Sequence, residues 1–292
     1  MSDITLTASA RNSLLSLTNT ASLMSRTQGR LTSGLKVASA IDDAVAYFQA
    51  KGLDDRASDF GSRKDEIDQG ISSVKAALNG ATLVDGILKQ MKGIVNSVRT
   101  ADATTRAALT KQFTNLAQQI TAGVQDASYQ GLHLMDNSSA KLTVYFNQGT
   151  GASLTVTAQN LQTSKLISSA NNIATSKLAT TLIGYAGFST VSSAGTSQAT
   201  VLNNVSSALD KAISKIRSVS AQLGGNVTFL QTRMDFTSNY INTMQEGSGK
   251  LTLADLNSEG ANLVALQTRQ QIGIQSLSIA GQQQQAILSL LR

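Results

Sequence analysis

The chain contains no proline, no cysteine and no tryptophan, and its one histidine is His133. Each absence closes off a class of function. Without cysteine there is no disulfide framework, no thiol nucleophile and no zinc–thiolate site. A single histidine cannot supply HExxH or another multi-histidine metal centre. A chain of 292 residues at ordinary usage carries roughly 15 prolines. With none, helices can run long and unkinked, and refolding meets no slow prolyl step. Charged residues are scarce too, at 14% against about 25% in ordinary globular chains.

The net charge of +6 is spread along the chain. No basic run is interleaved with aromatics, so no nucleic-acid partner is expected. No apolar run reaches about 18 residues, so no membrane span is expected. The N-terminus MSDITLTASARNSLL has no basic segment followed by an apolar one, so a Sec-type signal is not expected. Three carboxylate pairs occur: Asp42–Asp43, Asp54–Asp55 and Asp65–Glu66. Adjacent helical positions point about 100° apart and do not share a site. There is no GxSxG, and GSG at 247–249 follows no strand. His133 lies between leucines and reads as a packed or surface side chain. The expectation is therefore no enzyme, no catalytic residue, no cofactor and no metal.

What the chain does have is helical periodicity. Leu14, Leu17, Ala21, Met24, Leu31, Leu35 and Ala38 step by threes and fours, with Gln28 in one slot. Ile67, Ile71, Val74, Leu78, Ala81, Val84, Leu88, Met91, Val95 and Val98 form a second stripe, overwound around Ala81 and Val84. A third runs Leu109, Phe113, Leu116, Ile120, Val124 and a fourth Val201, Val205, Ala208, Ala212, Ile216, Val219, Leu223. The last region has Leu263, Ile274, Leu277, Leu288 and Leu291, with Gln267, Gln270 and Gln284 in intervening slots. These spacings predict amphipathic helices at coiled-coil period. Only KLTVYFN (141–147) and SLTVTA (153–158) alternate, which predicts a β-hairpin over 141–158 with Leu142, Val144 and Phe146 on one face. The fold class expected is mainly α: an elongated antiparallel helical coiled-coil bundle with a small β-hairpin region and paired N- and C-terminal helices.

The termini are nearly uncharged. Residues 1–25 carry Asp3 and Arg11, and residues 260–291 carry Arg269 alone. Surface helices normally show a charged face. Apolar stripes flanked by Ser, Thr, Asn and Gln are marginal alone and can be buried by copies of the same chain, which points to self-assembly. Between the first two helices, SGLKVASAIDDA reads as a break and a restart. Gly34 can end a helix. Ser39 stands three residues before Asp42, a capping-box-like spacing, with Asp42 and Asp43 expected in the first turn of the next helix.

The same stretch carries a resemblance. RLTSGLKVASAIDDAVAY (30–47) resembles the N-terminal signature of bacterial flagellins, and LGGNVTFLQTRMDF (223–236) and ALQTRQQIGIQSLSIAGQQQQAILSLLR (265–292) resemble their C-terminal region. The match covers roughly 1–135 and 200–292. It implies a structural subunit that self-polymerises into the flagellar filament for swimming motility, extracellular, and exported unfolded through the flagellar type III route. The alternative it leaves is the flagellin-like hook–filament junction protein. The implied domains are 1–40 with 255–292 as a coiled-coil inner tube, 41–160 with 199–254 as a helical outer tube, and 161–198 as a short variable insertion. The implied partners are other subunits, an export chaperone, the filament cap and hook-junction proteins. Inner-tube assembly would rest on Leu14, Leu17, Leu31, Ile274, Leu277, Leu288 and Leu291. The connecting spoke would be set by Gly34, Leu35, Ser39, Asp42 and Asp43. One run departs from the family. Flagellins detected by the vertebrate innate receptor read like L-Q-R-V-R-E-L-A, whereas LKQMKGIV (88–95) places Gln90, Lys92 and Gly93 at the key positions. The departure implies weak receptor activation and a likeness to flagellins of α-proteobacteria.

Overall fold

A computed structural model describes residues 8–136, 139–147, 151–163, 166 and 198–290, with the side chains of Ser9, 198–201 and 284–290 left out. Along the chain lie α1 (Ala8–Ser33), α2 (Ala44–Val98), α3 (Ala103–Asp126), β1 (Ser128–Tyr129), β2 (Leu132–His133), β3 (Lys141–Tyr145), β4 (Ser153–Thr157), α4 (Gln198–Thr252) and α5 (Leu256–Leu290). The helices are long because no proline interrupts them. The structure divides into two compact units, Met1–Ala57 with Asn242–Arg292, and Ser58–Ile241. Both α2 and α4 contribute to each unit.

The larger unit holds the main core. The second stripe read from the sequence lines it: Ile67, Ile71, Val74, Ala81, Val84, Leu88, Met91, Val95 and Val98 are all buried. So are Phe113, Leu116, Ile120 and Val124 of α3, and Val205, Ala208, Ala212, Ile216, Val219 and Leu223 of α4. Removing each large apolar side chain from water stabilises the unit by about 1.5–3 kcal/mol. The helix α4 continues through Gly224–Gly225 to Thr252. The stripe read as far as Leu223 continues in steps of four and three through Val227 and Leu230, both buried, and this packing outweighs the weak propensity of two glycines.

The predicted hairpin is present as β3 paired antiparallel with β4, Lys141 opposite Thr157 and Tyr145 opposite Ser153. The strands are shorter than read. Phe146 N–H still donates to Ala152 C=O at 2.9 Å, and residues 148–150 of the expected loop lie outside the described residues. Val144 and Phe146 are buried as expected, and Leu142 is half-buried. The hairpin approaches α2 closely at Gly70, which has no side chain. A Cβ there would stand 2.6 Å from Val144 Cγ2. A second, very short hairpin, β1 with β2, was not read from the sequence. Its two-residue turn puts Gln130 and Gly131 at φ 50 and 78, as a type I′ turn requires. His133 sits in β2, half-buried. Most of the expected insertion 161–198 lies outside the described residues.

Candidate functional site

The smaller unit contains what the sequence marks as the assembly region. Its helices α1 and α5 run antiparallel: Arg30 meets Glu259, and Leu17 meets Gly273, so the paired numbers move in opposite directions. A stripe of residues withdrawn from solvent runs along α1 through Ala10, Ser13, Leu17, Thr20, Met24, Thr27 and Leu31, and along α5 through Glu259, Leu263, Leu266, Gln270, Gly273, Leu277 and Ala280, with Arg30 and Gly260 partly covered beside them. Both sets step by alternating threes and fours, which is the a/d seam of a coiled coil.

The seam itself is weak. Ser13, Thr20, Thr27, Gln270 and Gly273 supply little apolar area to it. The outward faces are richer. Leu14, Leu15, Leu23, Leu256, Val264, Ile272, Ile274 and Ile279 are all exposed, with Leu15 at 62%, Ile272 at 59% and Ile274 at 56%. Single exposed leucines are ordinary. Eight large aliphatic side chains on two paired helices form the kind of apolar surface that marks an interaction site.

The connectors at one end of this pair are built with care. Gly34, at φ 72, ends α1, and its N–H donates to Arg30 C=O at 2.8 Å, a left-handed cap. Leu35 then forms an isolated antiparallel bridge with Leu253. Lys36 N–H donates to Thr252 C=O at 2.8 Å and Ala254 N–H to Gly34 C=O at 2.9 Å. The α1–α2 and α4–α5 connections are thus laced together. The next helix does not start as the sequence suggested, with Asp42 and Asp43 in its first turn. It begins at Ala44, and Asp43 is its N-cap, with Asp43 Oδ1 accepting from Ala46 N–H at 3.0 Å. Asp42 turns backward. Its Oδ2 accepts from Ser39 Oγ at 3.1 Å, Ser39 N–H at 3.0 Å and Ala38 N–H at 3.1 Å. So Ser39 and Asp42 close the connector loop and do not form a capping box: the carboxylate satisfies loop donors that precede the helix. The Ser39 hydroxyl, then the Ser39 and Ala38 amides, hold the Asp42 carboxyl below its ordinary range.

Two features here were missed in the sequence. Asp255 caps α5, accepting from Asn257 N–H at 3.0 Å and Ser258 N–H at 3.3 Å. Asp followed by NSE was a readable cap signal. The Arg30 Nη1–Glu259 Oε1 pair at 2.9 Å joins α1 to α5. A pairing across that much sequence has no local signature.

Of the expected assembly residues, Leu17, Leu31 and Leu277 lie on the seam, while Leu14 and Ile274 face solvent in the single chain. Gln270 is on the seam and Gln267 is exposed. The side chains of Leu288, Leu291 and Gln284 lie outside the described residues. On α2, Gln90 and Gly93 are exposed, and Lys92 forms an ion pair with Asp210 of α4.

Comparison with known proteins adds to this geometry. The family model for the bacterial flagellin N-terminal helical region matches residues 4–140, and that for the C-terminal helical region matches 206–291. Flagellin FljO of Caulobacter vibrioides is 30% identical over 296 residues, spanning 100% of this chain and 99% of the relative. The chain belongs to the bacterial flagellins. Flagellin FljN of the same organism is 34% identical over 295 residues, with 100% of this chain and 99% of the relative covered. A flagellin of Brucella melitensis is 26% identical over 296 residues, covering all of both chains. These relatives support an α-proteobacterial type. This flagellin is thus a structural protein of the flagellar filament, and its family places it outside the cell as a self-polymerising subunit. Among the described residues no helix is long and apolar enough to cross a membrane.

Proposed function

We propose that this flagellin polymerises chiefly through the α1–α5 pair, whose outward faces are buried by the same pair of neighbouring copies. The observation that supports this is the imbalance between a polar intrachain seam and eight exposed aliphatic side chains. Burying one such side chain fully is worth about 1.5–3 kcal/mol, so a neighbour covering several supplies the driving force for a stable polymer. On this reading, residues 1–40 with 255–292 make the inner tube and 41–160 with 199–254 the outer tube. Leu14 and Ile274 contact neighbouring copies, whereas Leu17, Leu31 and Leu277 hold the pair together. Leu288 and Leu291 extend the same surface, and Gln267, Gln270 and Gln284 satisfy one another's amides. Gly34, Leu35, Ser39, Asp42 and Asp43 set the spoke. The subunit leaves the cell unfolded by the flagellar type III route, delivered by an export chaperone and assembled under a cap beyond the hook-junction proteins. The lack of proline and cysteine suits that route, since neither isomerisation nor disulfide exchange delays refolding. Gln90, Lys92 and Gly93 make it a weak activator of the innate receptor.

The test is electron microscopy of purified full-length chain supplied with short filament fragments as seeds. Long tubes of uniform diameter are expected. Ile272→Asp and Ile274→Asp, both at exposed positions, are expected to keep the monomer's circular dichroism and to stop growth. Growth of both variants at the unsubstituted rate would sink the assignment to these faces.

A further inference from the structure

A second exposed surface lies on α4, in the larger unit. Phe229 is 46% exposed and Phe236 is 54% exposed. Between them, Arg233 lies over the Phe146 ring at 4.7 Å and over the Phe236 ring at 5.3 Å. Phe229 meets Phe146 edge-on at 5.8 Å, and Phe236 stacks on Tyr240 at 6.0 Å. The guanidinium is therefore held between rings, with Nε buried and, among the described residues, no acceptor on it. Among the described residues no carboxylate forms a salt bridge with Arg233. With its faces covered and Nε buried, the guanidinium has its two terminal Nη groups left to offer, a pair that binds a carboxylate in two-pronged fashion. Fixing it in advance removes the entropy that a free arginine loses on binding. This surface is built to receive an acid set among apolar groups.

The start of α2 is such a group. Phe48 is 64% exposed, Val45 is also exposed, and Asp55 lies on the same helical face. Asp55 pairs at 3.0 Å with Lys51, both mostly exposed. Such a pair contributes little and can be exchanged for a better partner. Gly52 stands between Phe48 and Asp55, and a Cβ there would meet nothing within 4 Å among the described residues. Within its own chain, this glycine in a helix interior only weakens the helix.

The two stripes match residue by residue. Asp55, Gly52 and Phe48 are spaced by three and four; so are Arg233, Phe236 and Tyr240. At about 1.5 Å per residue, an antiparallel approach puts the acid on the guanidinium, the Phe236 ring over the open glycine, and Phe48 against Tyr240. The occupant is a second copy of this chain, because an open filament requires contacts between two different surfaces of one subunit. We infer that α4 of one flagellin docks α2 of the next through Arg233–Asp55, Phe236–Gly52 and Tyr240–Phe48. This contact rests on the filament reading above but uses residues distinct from the α1–α5 faces.

The experiment is seeded growth of the full chain, read as the critical concentration for elongation. Gly52→Leu is expected to leave the monomer at least as heat-stable, since leucine is the better helix former, yet to raise the critical concentration about tenfold or more by filling the Phe236 seat. Asp55→Arg and Arg233→Glu each do the same. Together in one chain they restore growth to within about threefold of the unsubstituted value. Unchanged growth by Gly52→Leu and Asp55→Arg overturns the inference, even if Arg233→Glu fails to fold. Impaired single variants that the double variant does not rescue also overturn it. If the unsubstituted chain does not elongate on seeds, the filament reading fails first and this contact with it.

Discussion

Gly80 lies in the middle of α2, where a glycine weakens a helix by about 1 kcal/mol relative to alanine. Helix propensity alone therefore predicts that Gly80→Ala stabilises the protein. The packing predicts the opposite. A Cβ at Gly80 would stand 2.5 Å from the Ala127 Cβ and 2.9 Å from the Met135 Sδ. The Ala127 methyl is fixed to the backbone at the end of α3 and cannot rotate away. Met135 is fully buried and has no open space to enter. Overpacking of this kind costs typically 1–3 kcal/mol, and the rigid neighbour puts this site at the upper end. With the propensity gain subtracted, the net loss is about 2 kcal/mol. For a unit of this size that lowers the melting temperature by roughly 4–8 °C. Gly86, on the same helix with nothing among the described residues within 4 Å of its Cβ position, is the control. Gly86→Ala is expected to gain about 0.5–1 kcal/mol. Thermal and urea unfolding of both monomers, followed by circular dichroism, makes the comparison. A Gly80→Ala protein as stable as the Gly86→Ala protein would refute the idea that the end of α3 and the segment after β2 close on α2 at this glycine.

Three further expectations follow from the geometry. Ile216 is fully buried in the core of the larger unit, so Ile216→Ala loses about 2–5 kcal/mol, measured as a fall in the urea midpoint at unchanged slope. Gly34→Val forces a β-branched residue to φ 72 and loses about 1–2 kcal/mol, seen as faster amide exchange at the end of α1. The Asp42 carboxyl titrates below its ordinary value when folded, so its contribution is complete above about pH 3.9 and is lost as pH falls through the lower folded value. Ser39→Ala removes the largest cause of that depression, and carbon NMR titration should show the Asp42 pKa moving up toward the ordinary carboxylate range.

The helices were legible because one long-range constraint, burial on a single face, repeats locally every three to four residues. Ile67 through Val98 shows this most plainly, since every position on the stripe is withdrawn from solvent except Leu78, which is only partly so. The hairpin was legible through its change of period, and Gly34 through the need for a left-handed residue at a helix end. The terminal seam was read only in part. Leu14 and Leu17 sit three apart, and a stripe through both fits the sequence as well as the observed one through Ser13 and Leu17. In a low-charge helix, polar residues do not declare which side is in. Asp42 was misplaced for a related reason: the same spacing to Ser39 serves a cap or a loop closure, and only the backbone direction decides. The bridge between Leu35 and Leu253 and the Arg30–Glu259 pair depend on chain pairing, which leaves no trace in local pattern.

The polar seam between α1 and α5 has a kinetic side. A helix pair held by Leu17, Met24, Leu31 and a few facing leucines is expected to open more readily than one with a fully apolar seam, and an opened pair presents no stable template to another free subunit. Two free subunits therefore have to order four helices at once to begin a polymer, whereas a subunit arriving at an existing end orders only its own two against a ready surface. A concentrated pool of subunits can then remain unassembled while growing ends consume it, with the lag set by nucleation and abolished by seeds. Strengthening the seam, for example by replacing Thr20 with leucine, would remove that delay and let filaments start in the wrong place.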